Sequence, residues 1–388
     1  MSGNKMIAAR TAQRYFDELV ASFNGPLDVH CIVAAHMVPN AVYFVQALSK
    51  LVTIDLVLAK PKSFNRSERG VIADMLGVPV VRLNRELSAD PSRLLDALDG
   101  VDLRGQPVVL IDIGGYFATS ADALNAELGG TLLGVMEGTE NGAQRYEKSM
   151  PATVPVVTVA RSPLKLPEDY LVGASVVFSI EAVLREEAEI LQTRRACVIG
   201  YGRVGSGVAD VLRGRGIPTS VYDLDAVALA NAAARGFEVF TTLPTALDGS
   251  SLIVCATGNK ALRSSDFSLL RPGAVIATVT SSDDELDLDG ITDTHHRYEH
   301  TTHIVEYVAR SDDRKAVWLI NDGNAANFLH GAIIGPAIQL IEGEKLAAVA
   351  AIASGELPPP GGDLAEVSAQ SRRDVAATWV RHFATPAI

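Results

Sequence analysis

ACVIGYGRVGSGVADVLRGRG, residues 196–216, is the stretch whose reading decides the fold. Four small or apolar residues, Ala196 to Ile199, read as a short buried strand, and the run from Val204 to Gly216 has the spacing of a helix. Between them stands the G-x-G-x-x-G pattern Gly200-Tyr201-Gly202-Arg203-Val204-Gly205. The first glycine allows the tight turn, the second lets the backbone approach a pyrophosphate, and the third permits close helix–strand packing, while the helix N-terminus supplies amide donors. Asp223 closes the next apolar run eighteen residues after Gly205. A carboxylate there accepts from both ribose hydroxyls of NAD and repels the 2′-phosphate of NADP, so the motif points to NAD. Thr257-Gly258-Asn259, after the fourth run of this half, are small or polar residues that leave room for a nicotinamide ribose.

Outward from this motif the chain alternates β-rich and helical segments. Downstream come TSVYD (219–223), FEVF (237–240), SLIVCAT (251–257) and AVIATVT (274–280). Upstream come VHCIVAAH (29–36), TIDLVLAK (53–60), PVVRL (79–83), PVVLIDI (107–113), TLLGVME (131–137) and VPVVTVA (154–160). Strand–helix alternation implies parallel sheets covered on both faces, hence an α/β chain with two doubly wound, Rossmann-like domains and a cleft between them. Residues 1–177 are expected to form the substrate-binding domain, completed by about 326–350; residues 178–325 form the NAD-binding domain, and 351–388 a helical tail. A connecting helix is expected over 178–195, and a long helical region after Asn321 until LPPPGG at 357–362.

Composition excludes several classes. Of 388 residues 48% are hydrophobic and 21% charged, the balance of a folded α/β protein rather than a disordered one. A net charge of -12 argues against nucleic acid and anionic membranes as partners and leaves a small molecule as the default. Cys31, Cys197 and Cys255 each lie in an apolar run, and three cysteines so placed form no disulfide framework. With no apolar run of the ~18 residues a membrane span requires, a cytoplasmic protein is expected. His295, His296, His300 and His303 lack cysteine or a fitting carboxylate nearby, so no metal is expected. The acidic run from Ser282 to Asp287 reads as a solvated loop, and Arg372 with Arg373 as a solvated helix face.

The segments VIGYGRVGSGVADVLRGRG, VYDLDAVALANAAARGFEV, VCATGN and DDELDLDGI, with CIVAAHM, LIDIGG, GVMEGTENG and SPLKLPEDYLVG upstream, resemble the S-adenosyl-L-homocysteine hydrolases over roughly residues 25–350. The resemblance implies that bound NAD oxidises the 3′-hydroxyl of a ribose, that C4′ is thereby acidified, that a 5′ group is eliminated or water added, and that the ketone is then reduced again. It assigns Lys165 and Asp169 to the proton of the 3′-hydroxyl, His36 to acid–base work at C4′ and C5′, and Thr139 to the nicotinamide side of NAD. It also implies a homo-oligomer, a dimer or a tetramer.

Other positions depart from that family. Ile113 stands where the resemblance has a catalytic aspartate, and Gly138 where it has the glutamate that binds the ribose 2′-hydroxyl; Glu140 and Asn141 are the nearby candidates to replace it. Tyr170 replaces an asparagine, Ser281 a histidine, and NDGNAANF (321–328) a Gly-His-Pro stretch. No lysine follows Lys345 and no tyrosine follows Tyr307, so the family's C-terminal arm into the neighbouring NAD site is not matched. These changes strip polarity from the substrate side, and Gly138 is expected to leave an empty volume. Three readings follow: an NAD-dependent enzyme oxidising a secondary alcohol on a sugar- or nucleoside-like substrate, a genuine S-adenosyl-homocysteine hydrolase with relocated acids, and a non-catalytic NAD-binding regulator.

Overall fold

The computed structural model describes residues 3–64, 66–280 and 285–384, and side chains within these except at 3–5, 62–64 and 66–68. The chain divides into two units, Met1–Lys165 with Gly335–Ile388, and Leu166–Ile334.

In the first unit six strands, β1 (His30–Met37), β2 (Thr53–Phe64), β3 (Val80–Arg82), β4 (Val108–Asp112), β5 (Leu132–Glu137) and β6 (Val156–Thr158), form one sheet in the order β3-β2-β1-β4-β5-β6. Every pairing is parallel. All five side chains of β4 are buried, which is why VVLID is a continuous apolar run closed by one acid rather than an alternating pattern. The order reverses between β1 and β4, so their carboxyl ends flank the position where ligands bind in such sheets. The helix Ala337–Ala353 returns to pack on this core through Ile341, Leu346 and Val349. Its start differs from the expected helical region after Asn321: Gly331 and Gly335 take positive φ, and Pro336 precedes the first turn, so the backbone cannot continue one helix from 321. The tail is part of this unit, because Ala365 exchanges backbone hydrogen bonds with β6, from Thr158 N–H and to Val156 C=O. Arg372 is not on a solvated face; its Nε donates to buried Glu344 at 2.9 Å.

The second unit holds an eight-stranded sheet. Its strands are β7 (Ala196–Ile199), β8 (Thr219–Tyr222), β9 (Glu238–Phe240), β10 (Leu252–Cys255), β12 (Ala274–Thr278), β14 (His295–Glu299), β15 (Ile304–Ala309) and β16 (Ala316–Ile320); β11 (Leu262–Arg263) and β13 (Leu286–Asp287) pair separately. The order β14-β15-β16-β12-β10-β7-β8-β9 repeats the doubly wound arrangement, again reversing at the first strand, β7, beside β10. An antiparallel hairpin, β14 with β15, extends one edge.

The helix that precedes β7 in the chain spans Leu166–Glu186 rather than 178–195. Pro167 is compatible with its first turn, where a missing N–H costs nothing. The helix ends because Ala188 turns to φ 57° and Glu189 N–H reaches back to Leu184 C=O at 2.9 Å. Among the described residues no helix is long and apolar enough to cross a membrane.

Candidate active site

The glycine loop follows β7 as its sequence requires. Gly200 has φ 94°, a left-handed turn that disfavours any side chain, and a Cβ on Gly205 would stand 2.0 Å from the Gly200 carbonyl oxygen. Gly202, by contrast, caps the helix Arg203–Gly214 and faces open space, with nothing within 4 Å of where its Cβ would be. One glycine is therefore needed for packing and the other leaves backbone bare toward a ligand. Asp223 stands just after β8 with one carboxylate oxygen accepting from Tyr201 N–H at 2.6 Å and the other from Asp225 N–H at 2.9 Å. The acid is thus fixed against the loop, oriented by backbone donors. An open helix N-terminus with a fixed carboxylate beside it fits the pyrophosphate and ribose of a dinucleotide.

Thr257, Gly258 and Asn259 form the turn after β10, and their support is a residue whose sequence context reads as a solvated loop. Glu285 is fully buried and accepts from Gly258 N–H at 2.6 Å, Thr257 Oγ1 at 3.0 Å and Thr280 Oγ1 at 3.2 Å. Burial pushes its carboxyl above the usual range, and the hydrogen bonds from this turn oppose that shift. The Thr257 hydroxyl also accepts from Asn259 N–H at 2.9 Å. Ser281 and residues 282–284 lie outside the described residues.

Asp169 lies in the first turn of the helix Leu166–Glu186, is 4% exposed, and has its carboxylate 3.9 Å from the guanidinium of Arg203, the first residue of the helix after the glycine loop. Two further glycines make this approach possible. A Cβ on Gly173 would stand 2.6 Å from Val208 N, and one on Gly207 would stand 3.0 Å from Tyr170 Cα, so the two helices touch backbone to backbone. Tyr170 itself is exposed, its backbone against Gly207. Val204 packs against the core of this unit.

At the carboxyl ends of β4 and β5 in the first unit, two buried acids tie down the turns. Asp112 accepts from Ile113 N–H at 2.7 Å, Phe117 N–H at 2.9 Å and Tyr146 Oη at 3.0 Å. Glu137 accepts from Gly115 N–H at 2.8 Å, Gly114 N–H at 3.1 Å, and the N–H and hydroxyl of Thr139 at 2.6 and 2.8 Å. Burial raises both, and the charge of Asp112 helps push Glu137 up to about 7. Thr139 caps the helix Glu140–Lys148 by accepting from Gly142 N–H. Glu140 is exposed and holds Arg161 through a hydrogen bond of 2.8 Å, and Asn141 follows it in the first turn of that helix. Ile113 is buried in an apolar cluster with Leu110 and Phe117.

The expected empty volume at Gly138 is filled. A Cβ there would stand 3.3 Å from Lys345 Cε and 3.7 Å from its Nζ, and one on Gly114 would stand 3.2 Å from Lys60 Nζ. His36, near the end of β1, feels both lysines: burial first, then the charges of Lys60 and Lys345, hold its imidazole well below the usual histidine range. Neither lysine stands out in the sequence, because each belongs to an element far along the chain from the acid motifs.

Lys165 closes the 3₁₀ turn Pro163–Lys165, its N–H donating to Ser162 C=O at 3.2 Å. The Ser162 hydroxyl donates to buried Glu344, the same acid that Arg372 holds, so the tail helix reaches the turn carrying Lys165 through one carboxylate. The histidines of the hairpin are dispersed: His295 pairs with Thr294 at 2.9 Å, His296 with Arg310 at 3.3 Å and His300 with Glu187 at 3.2 Å. Among the described residues no group of three or more such side chains is placed to hold a metal.

Residues 171–332 match the family described as "S-adenosyl-L-homocysteine hydrolase, NAD binding domain". Among solved structures, the chain is similar to a dipicolinate synthase chain from Bacillus subtilis, at 12% identity and TM-score 0.47 over 84% of this chain and 98% of that one. It is also similar to a dipicolinate synthase chain from Bacillus halodurans, at 12% identity and TM-score 0.46 over 82% and 97%. The matched segment contains the open Gly202 turn, the fixed Asp223 and the stapled Thr257–Asn259 turn, and it is an NAD-binding domain similar to that of the S-adenosyl-L-homocysteine hydrolases.

Proposed function

We propose that this chain is an NAD-dependent enzyme that oxidises a secondary alcohol of a sugar- or nucleoside-like substrate, and that it does not hydrolyse S-adenosyl-homocysteine. The observation that carries the reading is the placement of buried Asp169 against Arg203 on the helix that follows the glycine loop. Arg203 opens the helix that follows the glycine loop, so the pair puts an acid next to the segment expected to hold the cofactor. NAD, when bound, supplies the hydride acceptor. Gly202 leaves backbone donors bare for the pyrophosphate, Asp223 accepts from the ribose, and the Thr257–Asn259 turn lines the nicotinamide side.

Loss of a hydride from the carbinol carbon leaves the hydroxyl proton to be removed. Lys165 in its neutral form takes it, and Asp169 positions the alcohol or the lysine. His36, kept neutral by burial and by two ammonium groups, has one unprotonated ring nitrogen that accepts a hydrogen bond. The absent carboxylates argue against the hydrolase reading: Ile113 is apolar and packed in the core, and the space beside Gly138 belongs to a lysine.

The test is to mix NAD-loaded protein with a panel of sugars, nucleosides and hydroxy acids and to follow the absorbance of NADH. Formation of NADH that Lys165→Ala abolishes, with NAD affinity unchanged, supports the reading. NADH formed by that variant at the wild-type rate overturns the choice of base, and release of homocysteine from S-adenosyl-homocysteine at an enzymatic rate favours the hydrolase.

A further inference from the structure

Two parts of the C-terminal tail reach the segment that carries Lys165. Ala365 bridges to Val157 of β6, the strand that leads into this segment, accepting from Thr158 N–H at 2.8 Å and donating to Val156 C=O at 2.8 Å. Further along, the helix Ala369–Trp379 places Arg372 so that its Nε donates to Glu344 at 2.9 Å and its Nη2 to Glu366 at 3.2 Å. The end of that helix is held too, since Trp379 Nε1 donates to Pro336 C=O at 2.8 Å, just before the helix that carries Glu344. The tail is thus tied both to the strand before the lysine and to the acid behind it.

Glu344 is fully buried, and each of its oxygens takes one side-chain donor: Arg372 on Oε1 and the Ser162 hydroxyl on Oε2. Ser162 is itself 1% exposed. While its hydroxyl donates to Glu344 it accepts from Leu164 N–H at 3.0 Å, and its carbonyl accepts from Lys165 N–H at 3.2 Å. One serine therefore holds two amides of the turn Pro163–Lys165 and is oriented by one buried acid. A single 3₁₀ turn gains little from its own hydrogen-bond geometry, so this outside support decides how its last residue is held. A buried carboxylate stripped of its cation is strongly unfavourable, so loss of Arg372 shifts Glu344 and, with it, the serine.

We propose that Arg372 and Glu344 are positioning residues for Lys165: through Ser162, the C-terminal tail sets the turn that presents the lysine within its own chain. The inference rests on the oxidoreductase reading for the task of Lys165; the coupling of tail to turn stands on the hydrogen bonds of the first unit. A base must meet the hydroxyl proton within hydrogen-bond reach, so a displaced turn slows proton removal while leaving the contacts that bind substrate and NAD in place.

The experiment compares NAD-loaded, full-length wild type with Arg372→Met, Arg372→Lys and Ser162→Ala. Brief labelling with acetic anhydride, read lysine by lysine in a mass spectrometer, reports the access of each amine and requires no substrate. Lys165 should label about threefold faster or more in Arg372→Met and in Ser162→Ala, the equivalent of one lost hydrogen bond. Lys50 and Lys260 should label as before, and Arg372→Lys, which keeps the charge, should return Lys165 close to the wild-type rate. A Lys165 rate unchanged in both Arg372→Met and Ser162→Ala overturns the proposal, as does a rise shared with Lys50 and Lys260, which marks general loosening. Ser162→Ala leaves the ion pair intact and carries the same expectation if Arg372→Met does not fold. For an alcohol that the wild type oxidises, kcat should fall about tenfold or more in Arg372→Met with KM and NAD affinity unchanged. An equal kcat overturns the positioning role and leaves the oxidation reading intact, whereas faster labelling of Lys165 with no NADH from any alcohol keeps the coupling of tail to turn and fails the oxidation reading.

Discussion

Glu285 accepts the backbone N–H of Gly258 at 2.6 Å, and through this bond a fully buried carboxylate shapes the turn that follows β10 in the NAD-binding domain. Replacing it by alanine leaves the Gly258 amide and two threonine hydroxyls to find other partners. Glu285→Ala should lower NAD affinity by about tenfold with little change in far-ultraviolet circular dichroism, since each lost charged hydrogen bond is worth ~1.5–3 kcal/mol and part is recovered by relaxation. Calorimetry on cofactor-stripped protein measures it, and an unchanged Kd would show that the turn holds its shape without the acid.

Asp223 should set the choice of cofactor. Asp223→Ala removes both the ribose acceptor and the repulsion of a 2′-phosphate, so NAD binding should weaken and the preference over NADP should shrink by about tenfold or more. Equal loss for both cofactors would mean that the residue only supports Tyr201 N–H, which it already holds at 2.6 Å.

Gly207 should tolerate no side chain. Its Cβ would press on Tyr170 Cα at 3.0 Å, backbone against backbone, so Gly207→Val must push the helix Leu166–Glu186 away from the helix Arg203–Gly214. A loss of about 1–3 kcal/mol in urea unfolding is expected, together with weaker NAD binding because the helix Arg203–Gly214, which carries the substitution, begins at the glycine loop. Gly214→Ala, where nothing lies within 4 Å, is the control and should be neutral or stabilising.

Glu137→Gln tests the staple at the end of β5. The amide nitrogen of glutamine is a donor and would face Gly114 and Gly115 N–H groups that now have an acceptor, at about 1–3 kcal/mol for each donor left unmatched. A melting temperature equal to wild type would mean that water replaces the carboxylate.

His36 gives a stability change with a defined sign. Its folded pKa is held well below 6.5, by burial first and then by Lys60 and Lys345, so the unfolded chain binds the extra proton as pH falls. Its contribution is complete above the unfolded value and declines as pH drops below about 6.5. Melting temperatures of wild type and His36→Gln should therefore converge on acidification, and parallel curves would show that the imidazole is protonated in the fold.

The alternating apolar runs and the glycine loop were legible because they are local. A strand buried on both faces must be a short continuous apolar run, as VVLID and LIVC are, and a tight turn that admits a phosphate must be glycine at Gly200 and Gly202 whatever surrounds it. Both sheets, the parallel sense of all but the edge hairpin of the second, and the NAD-binding character of the second unit follow from such segments. Tertiary structure decided which charges face inward. Glu285 lies in an acidic run that reads as solvated and Arg372 in a polar helix, yet each is matched by partners from distant segments: the amide and hydroxyls of two loops for Glu285, and Glu344 for Arg372. Gly173 and Gly207 lie inside helices, where glycine is unfavourable, and the neighbouring backbone against them gives the reason for a glycine. Lys60 and Lys345 lie 285 residues apart in the chain, and only the bulge between β1 and β2 and the returning helix bring both to His36. Local pattern sets which segments become strands and turns, because those depend on neighbouring residues; the charge a site presents is a sum over elements that folding alone assembles.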